Sequence, residues 1–128
     1  MGPVEDAIRT KFSAPVTLHT LGQRKPFKLS AIDNDGIVLL LGEGEWPTRL
    51  SWECLESVPT FLRGQAGWVP AGGKHSVAGE PGTLDKHLKR YQKTDVARWL
   101  VRVLGDAGVV EVSEGPPLRL RLFERPAR

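Results

Sequence analysis

The stretch TLDKHLKRYQKTDVARWLVRVLGDAGVVEVSEGPPLRLRLF, residues 83 to 123, reads as two short helices followed by a hydrophobic hairpin. Thr83 is placed to cap the first helix, which would bury Leu84, Leu88 and Tyr91 at i, i+4 and i+7. Lys86, Lys89, Arg90 and Lys93 then face outward. Thr94 suits the N-cap of the second helix, Asp95 its first turn, and Gly108 the position just past its end near Asp106. Along that helix Val96, Ala97, Leu100, Val101, Val103 and Leu104 share one broad face. Asp95, Arg98, Arg102 and Asp106 fall opposite, with Trp99 on the border. In the hairpin Val110 and Val112 face the same side as Leu118, Leu120 and Leu122, and Arg119 and Arg121 alternate outward. Gly115, Pro116 and Pro117 stiffen its tip.

Charge follows the same stretch. From Lys86 to Arg102 six cations face one anion, a net +5 in 17 residues. Residues 1 to 73 carry −1 and residues 74 to 128 carry +4, within a total of +3. A basic excess that is placed rather than spread favours an anionic partner. Helix, turn, helix and hairpin in this order outline a winged helix, a common way of setting one helix in a DNA groove. Lys86, Lys89, Arg90, Lys93 and Thr94 are then expected on the phosphate backbone, and Arg119 and Arg121 on the backbone or minor groove. Arg98 and Arg102, with Trp99 beside them, are expected to read bases. The competing reading pairs the two helix arginines with Asp95 and Asp106, and makes the hairpin arginines edge-strand charges that discourage aggregation.

The first half reads differently. Residues 4–12 form an amphipathic helix with Ala7, Ile8 and Phe12 inward, closed by Pro15. Val16, Leu18 and Thr20, then Phe27, Leu29 and Ala31, alternate as half-buried strands separated by the turn GQRKP. DNDG (33–36) signals a hairpin, IVLLL (37–41) a central strand and TRLSW (48–52) a fourth. Residues 52–62 suggest a helix capped by Ser51, with Cys54, Leu55, Val58 and Leu62 on one face and Pro59 able to kink or restart it. The fold class is therefore α+β: a small antiparallel sheet half (1–63) and a glycine-rich loop leading to a winged-helix-like half (64–128). At 128 residues both are expected to pack as one unit.

Residues 64–82 hold six glycines and two prolines, yet Trp68, Val69 and Val77 make them too apolar for a plain linker. An ordered loop is expected, its glycine amides with Lys74 and His75 able to hold phosphate. Trp46 and Trp68 also sit in Gly- or Pro-rich loops. They are either lids on small cores, the favoured reading for Trp68, or surfaces that stack on a base or enclose a methyl group.

The pattern W-V-P-x-G-G-K-H-S-V-x-G-x-P-G-T-L-D-x-x-L-K (68–89), followed by A-R-W-L-V-x-V-L-x-x-A-G-V-V-E (97–111), resembles N-terminal modules of actinobacterial McrA-type HNH endonucleases. The resemblance covers about 60 residues of the 128. It implies a module that reads modified duplex DNA containing 5-methylcytosine, as part of a restriction system with a fused or associated HNH nuclease. It transfers no catalytic residue, because the three scattered histidines make no HNH pattern.

Other classes find little support. The lone Cys54 cannot form an internal disulfide, and His19, His75 and His87 lack zinc-ligand spacing. Asp33, Asp35, Glu43 and Glu45 read as turn residues, since Gly44 stands where a calcium loop needs its bidentate glutamate. No enzyme activity, metal or cofactor is expected. With no signal peptide or membrane-length apolar run, a cytoplasmic location is expected. The rival readings are a winged-helix protein-interaction module and a small transcriptional regulator.

Overall fold

Pro3 opens the first helix, α1 (Pro3–Lys11), where its missing N–H is harmless. Gly2 at the N-cap has no side chain to accept the free amides of the first turn. Glu56, from a helix far along the chain, accepts them instead: its carboxylate receives the Val4 amide at 3.1 Å and the Glu5 amide at 2.9 Å. A Cβ on Gly2 would lie 2.2 Å from the Glu56 carboxyl carbon, so the cap requires glycine there. The structure is a computed structural model that describes residues 2–21, 24–65, 67–72, 82–115 and 118–123.

Four antiparallel strands follow in chain order, β1 (Val16–His19), β2 (Pro26–Ile32), β3 (Gly36–Leu41) and β4 (Trp46–Ser51). Alternation puts Leu18, Phe27, Leu29, Ile37, Leu39 and Leu50 on the buried face. Ala31, expected inward with them, is only half-buried because the β2–β3 register shifts between Leu29 and Ala31. Asp33 organises the turn between these strands. Its Oδ1 accepts the amides of Asp35 (2.9 Å) and Gly36 (3.1 Å), and Arg49 grips both carboxylate oxygens at 2.8 and 3.0 Å. Its carbonyl accepts from Trp52 Nε1 and Arg9 Nη2, each at 2.9 Å. Gly36, at φ +151°, lets the Leu50 carbonyl pass where a Cβ would stand 2.0 Å away.

Ser51 caps the next helix, α2 (Trp52–Arg63), accepting the Cys54 amide at 3.1 Å. The helix runs unbroken through the buried Pro59, and Cys54, Leu55, Val58 and Leu62 complete its buried stripe. Burial pushes the Cys54 thiol up to about 11, so it stays protonated as an apolar core group.

The remaining elements are β5 (Val69–Pro70), α3 (Leu84–Leu88), α4 (Ala97–Asp106), β6 (Val110–Ser113) and β7 (Arg119–Leu122). β7 lies between β5 and β6, pairing Leu120 with both Val69 and Val112. The glycine-rich segment thus contributes a strand, with Val69 and Ala71 buried; the rest of its expected loop, including Lys74 and His75, lies outside the described residues. α2 packs on α1 and β4, and also on α3 and β7, so a single α+β core spans the 63/64 boundary. Among the described residues no helix is long and apolar enough to cross a membrane.

Glu56→Ala and Gly2→Ala should each cost about 1 kcal/mol, the usual worth of a helix cap, measured by urea denaturation. Because both remove the same bonds, the double variant should cost little more than either alone. The Asp33 carboxyl is held down to about 2 from 3.8, first by the Arg49 hydrogen bond and then by the Asp35 amide. Its contribution to stability is complete above pH 3.8 and is lost as pH falls through about 2. Asp33→Asn should therefore flatten the acid limb of a pH–melting profile in that window.

Candidate nucleic-acid interface

Thr83 caps α3 as expected, its Oγ1 accepting the Lys86 amide at 3.1 Å. Leu84 and Leu88 are buried, but the helix stops at Leu88 and the chain turns through Lys89 to Tyr91. Tyr91 is consequently 40% exposed rather than core, tilted against His87 at 5.7 Å between ring centres.

Lys89 is not a solvent-facing cation. Its Nζ donates to Asp85 Oδ1 at 2.7 Å and also to Asp95, and Asp85 is only 1% exposed. Partial burial opposes the charge on Lys89, but the bonds to Asp85 and Asp95 outweigh it and raise the pKa. This clamp draws the chain before α4 onto the end of α3. It also explains why Thr94 is not an N-cap. Asp95 is held by Lys89, the Thr94 carbonyl accepts from Gln92 Nε2, and the fully buried Val96 starts the helix without a side-chain cap. Lys86, Arg90, Lys93 and Thr94 stay exposed, and the three cations have no ion pair with a described residue.

The α4 arginines differ from one another. Arg98 is half-buried with its guanidinium 4.6 Å over the Trp99 ring. Arg102, expected outward as a base reader or else paired with Asp106, makes that pair and is tied at both ends of its guanidinium: Nε donates to Asp106 at 2.8 Å and Nη1 to the His19 carbonyl at 2.8 Å. Its reach is spent joining α4 to the end of β1.

On the hairpin, Arg121 donates to Glu111 at 2.5 Å and lies 4.4 Å over the Trp68 ring. Arg119 is half-buried, and its Nε is enclosed with no hydrogen-bond partner among the described residues. Both stand on the central strand β7, which removes the reading of them as edge-strand guards. Trp68 is 38% exposed and Trp46 73%, so Trp46 is no core lid, and Trp68, largely covered, has the Arg121 guanidinium over its ring. Trp46 shares its hairpin tip with the exposed Glu43 and Glu45, the latter paired with Lys28 at 3.2 Å.

Two grooves border these groups. One of 430 Å³ is lined by Leu62, Arg63, Gln65, Gly67, Glu111 and Arg121. The other, 380 Å³, lies between α2 and α3 against Phe61, Thr83, Lys86, His87 and Arg90. His87 is the residue sequence reasoning missed there: it stacks on Phe61 at 4.5 Å and 16° and meets Ser57 Oγ at 2.8 Å. The Ser57 hydroxyl donates to the Cys54 carbonyl at 2.5 Å, so His87 Nε2 must carry the proton and donate to it. That bond orients an imidazole ring; it does not activate the serine. Burial, then Arg90, lowers the His87 pKa and favours the neutral ring. The i, i+4 pair Ser57 and Phe61 on α2 was visible in the sequence, but nothing marked His87 among its lysine neighbours as their partner.

Comparison with protein families, curated proteins and solved structures finds no match for this chain.

Lys89→Met should destabilise the fold by about 1 to 3 kcal/mol, because it strips a charge-assisted bond from buried Asp85. Lys86→Met, on an exposed lysine, should fall within about 0.5 kcal/mol of the unaltered protein. Paired thermal melts check the contrast, and equal effects would contradict the clamp.

Proposed function

We propose that this chain is a duplex-DNA-binding module with a winged-helix arrangement in its second half. The observation that carries the reading is the set of exposed cations Lys86, Arg90 and Lys93, without an ion pair among the described residues, on α3 and its exit turn, beside α4 and the β6–β7 hairpin. The element order α2, β5, α3, α4, β6, β7, with β7 between β5 and β6, fits a winged helix. In this reading Lys86, Arg90 and Lys93 neutralise phosphates, and Thr94 can add a hydroxyl contact. Arg98, stiffened on Trp99, is the base reader, and Arg102 positions α4 rather than reading. Arg121, stacked on Trp68 and paired with Glu111, is held on the hairpin as a positioned guanidinium.

The preference for 5-methylcytosine, and a role as the reader of a restriction system beside a fused or associated HNH nuclease, rest on the resemblance of residues 68–89 and 97–111. Trp68 is the better placed tryptophan for it, next to a cation and the 430 Å³ groove. One buried methyl is worth about 0.8 kcal/mol, roughly fourfold in affinity, so a modest ratio is expected unless a shaped pocket forms. A protein-interaction role is favoured at the β3–β4 tip, where exposed Trp46 follows the exposed Glu43 and Glu45, neighbours that phosphate would avoid.

The triple variant Lys86→Gln, Arg90→Gln, Lys93→Gln should weaken binding to all duplexes alike and flatten the log affinity–log salt slope by about 2.7. Fluorescence anisotropy on matched duplexes with and without 5-methylcytosine measures both the slope and the methyl ratio. An unchanged slope would remove these cations from the interface; a ratio of one would end the modified-DNA reading while leaving DNA binding intact.

A further inference from the structure

The hydrogen bond from Arg102 Nη1 to the His19 carbonyl brings the end of β1 against α4. His19 pairs with Pro26 across β1 and β2. Next to that pair, Thr20 and Lys25 are bonded to each other. The Thr20 amide donates to the Lys25 carbonyl at 2.8 Å, the Lys25 amide donates to Thr20 Oγ1 at 2.9 Å, and Thr20 itself is buried. Arg24 is held at φ +54°, a conformation a non-glycine residue seldom adopts without support. Arg24 and Lys25 are exposed and make no ion pair with a described residue.

We propose that Arg24 and Lys25, just before β2, form a second arm of the DNA-contacting face as phosphate contacts, set near α4 by the Arg102–His19 and Thr20–Lys25 bonds. The inference rests on the DNA-binding reading and extends it into the half of the chain whose formal charge is −1. The neighbouring hairpin gives the arm a direction. Strand register places the Arg24–Lys25 pair and the β3–β4 turn at the same end of the sheet, since Phe27 pairs with Leu18 and Leu41 with Trp46. Successive strands stand about 4.8 Å apart, so the cationic arm and the Glu43–Glu45 tip are separated by roughly 10 to 15 Å. Phosphate is drawn to the β1 side of that end and repelled from the β4 side. A duplex carries one charge per roughly 1.7 Å of axis, so an arm adjoining α4 meets phosphate whatever the sequence.

The test is anisotropy on a short unmodified duplex across a salt series, comparing the full chain with Arg24→Gln/Lys25→Gln. Both changes keep the backbone and remove only exposed charge, and a matching melting curve verifies the fold. The expected result is weaker binding with a slope flatter by about 1.8, two contacts' worth. If the unaltered chain binds duplex with a steep slope and the double variant matches it, the arm is overturned and the α3 interface stands. If the unaltered chain binds no duplex at low salt, the DNA reading itself fails and the arm with it.

Discussion

Everything else in this structure depends on α2 having two clients. It packs on α1 and β4 and also on α3 and β7, with Leu55 and Val58 fully enclosed. Each such side chain contributes about 1.5 to 3 kcal/mol of burial, and neither sheet could be covered without them. Halves of some sixty residues are marginal alone, because each buries a smaller share of its surface than the whole chain does. Sharing one helix gives both a common interior, and Glu56 ties α1 to the same helix by capping it from outside. The composition break after Arg63 is therefore a break in charge, not in packing.

What the sequence disclosed were the local features. Ser51 and Thr83 are caps because a hydroxyl reaches an amide three residues on, and the hairpin register follows from alternation of Val110, Val112, Leu120 and Leu122. Non-local choices were hidden. Nothing near Thr94 announced that Lys89 would seize Asp95, and Tyr91 was assigned to the core by a periodicity the short α3 does not sustain. β5 was concealed in a glycine-rich run, since two residues are too few for a pattern. For the candidate site, the position of Lys86, Arg90 and Lys93 was legible. Which of their neighbours would be consumed by the fold was not.

That consumption alters the electrostatic argument. The stretch from Lys86 to Arg102 has a formal +5, yet Lys89 and Arg102 are both engaged by carboxylates within the protein. The charge offered outward is smaller than the sequence suggests, and it is concentrated on α3 and its exit turn rather than on α4. A module of this kind would grip DNA chiefly through backbone contacts, with Arg98 as the one α4 arginine left for bases.

The strand arrangement bears on how the molecule behaves in a crowded solution. An exposed sheet edge offers unpaired donors and acceptors to any passing strand, and each sheet here ends on an edge strand containing proline: Pro47 in β4 and Pro70 in β5. Proline removes a donor from the row that an incoming strand would need. β7, with its leucines, is sheltered between two neighbours. The hydrophobic hairpin is thereby closed to strand-by-strand growth on its β5 side, and a chain rich in short strands is protected there from the pairing that leads to aggregates.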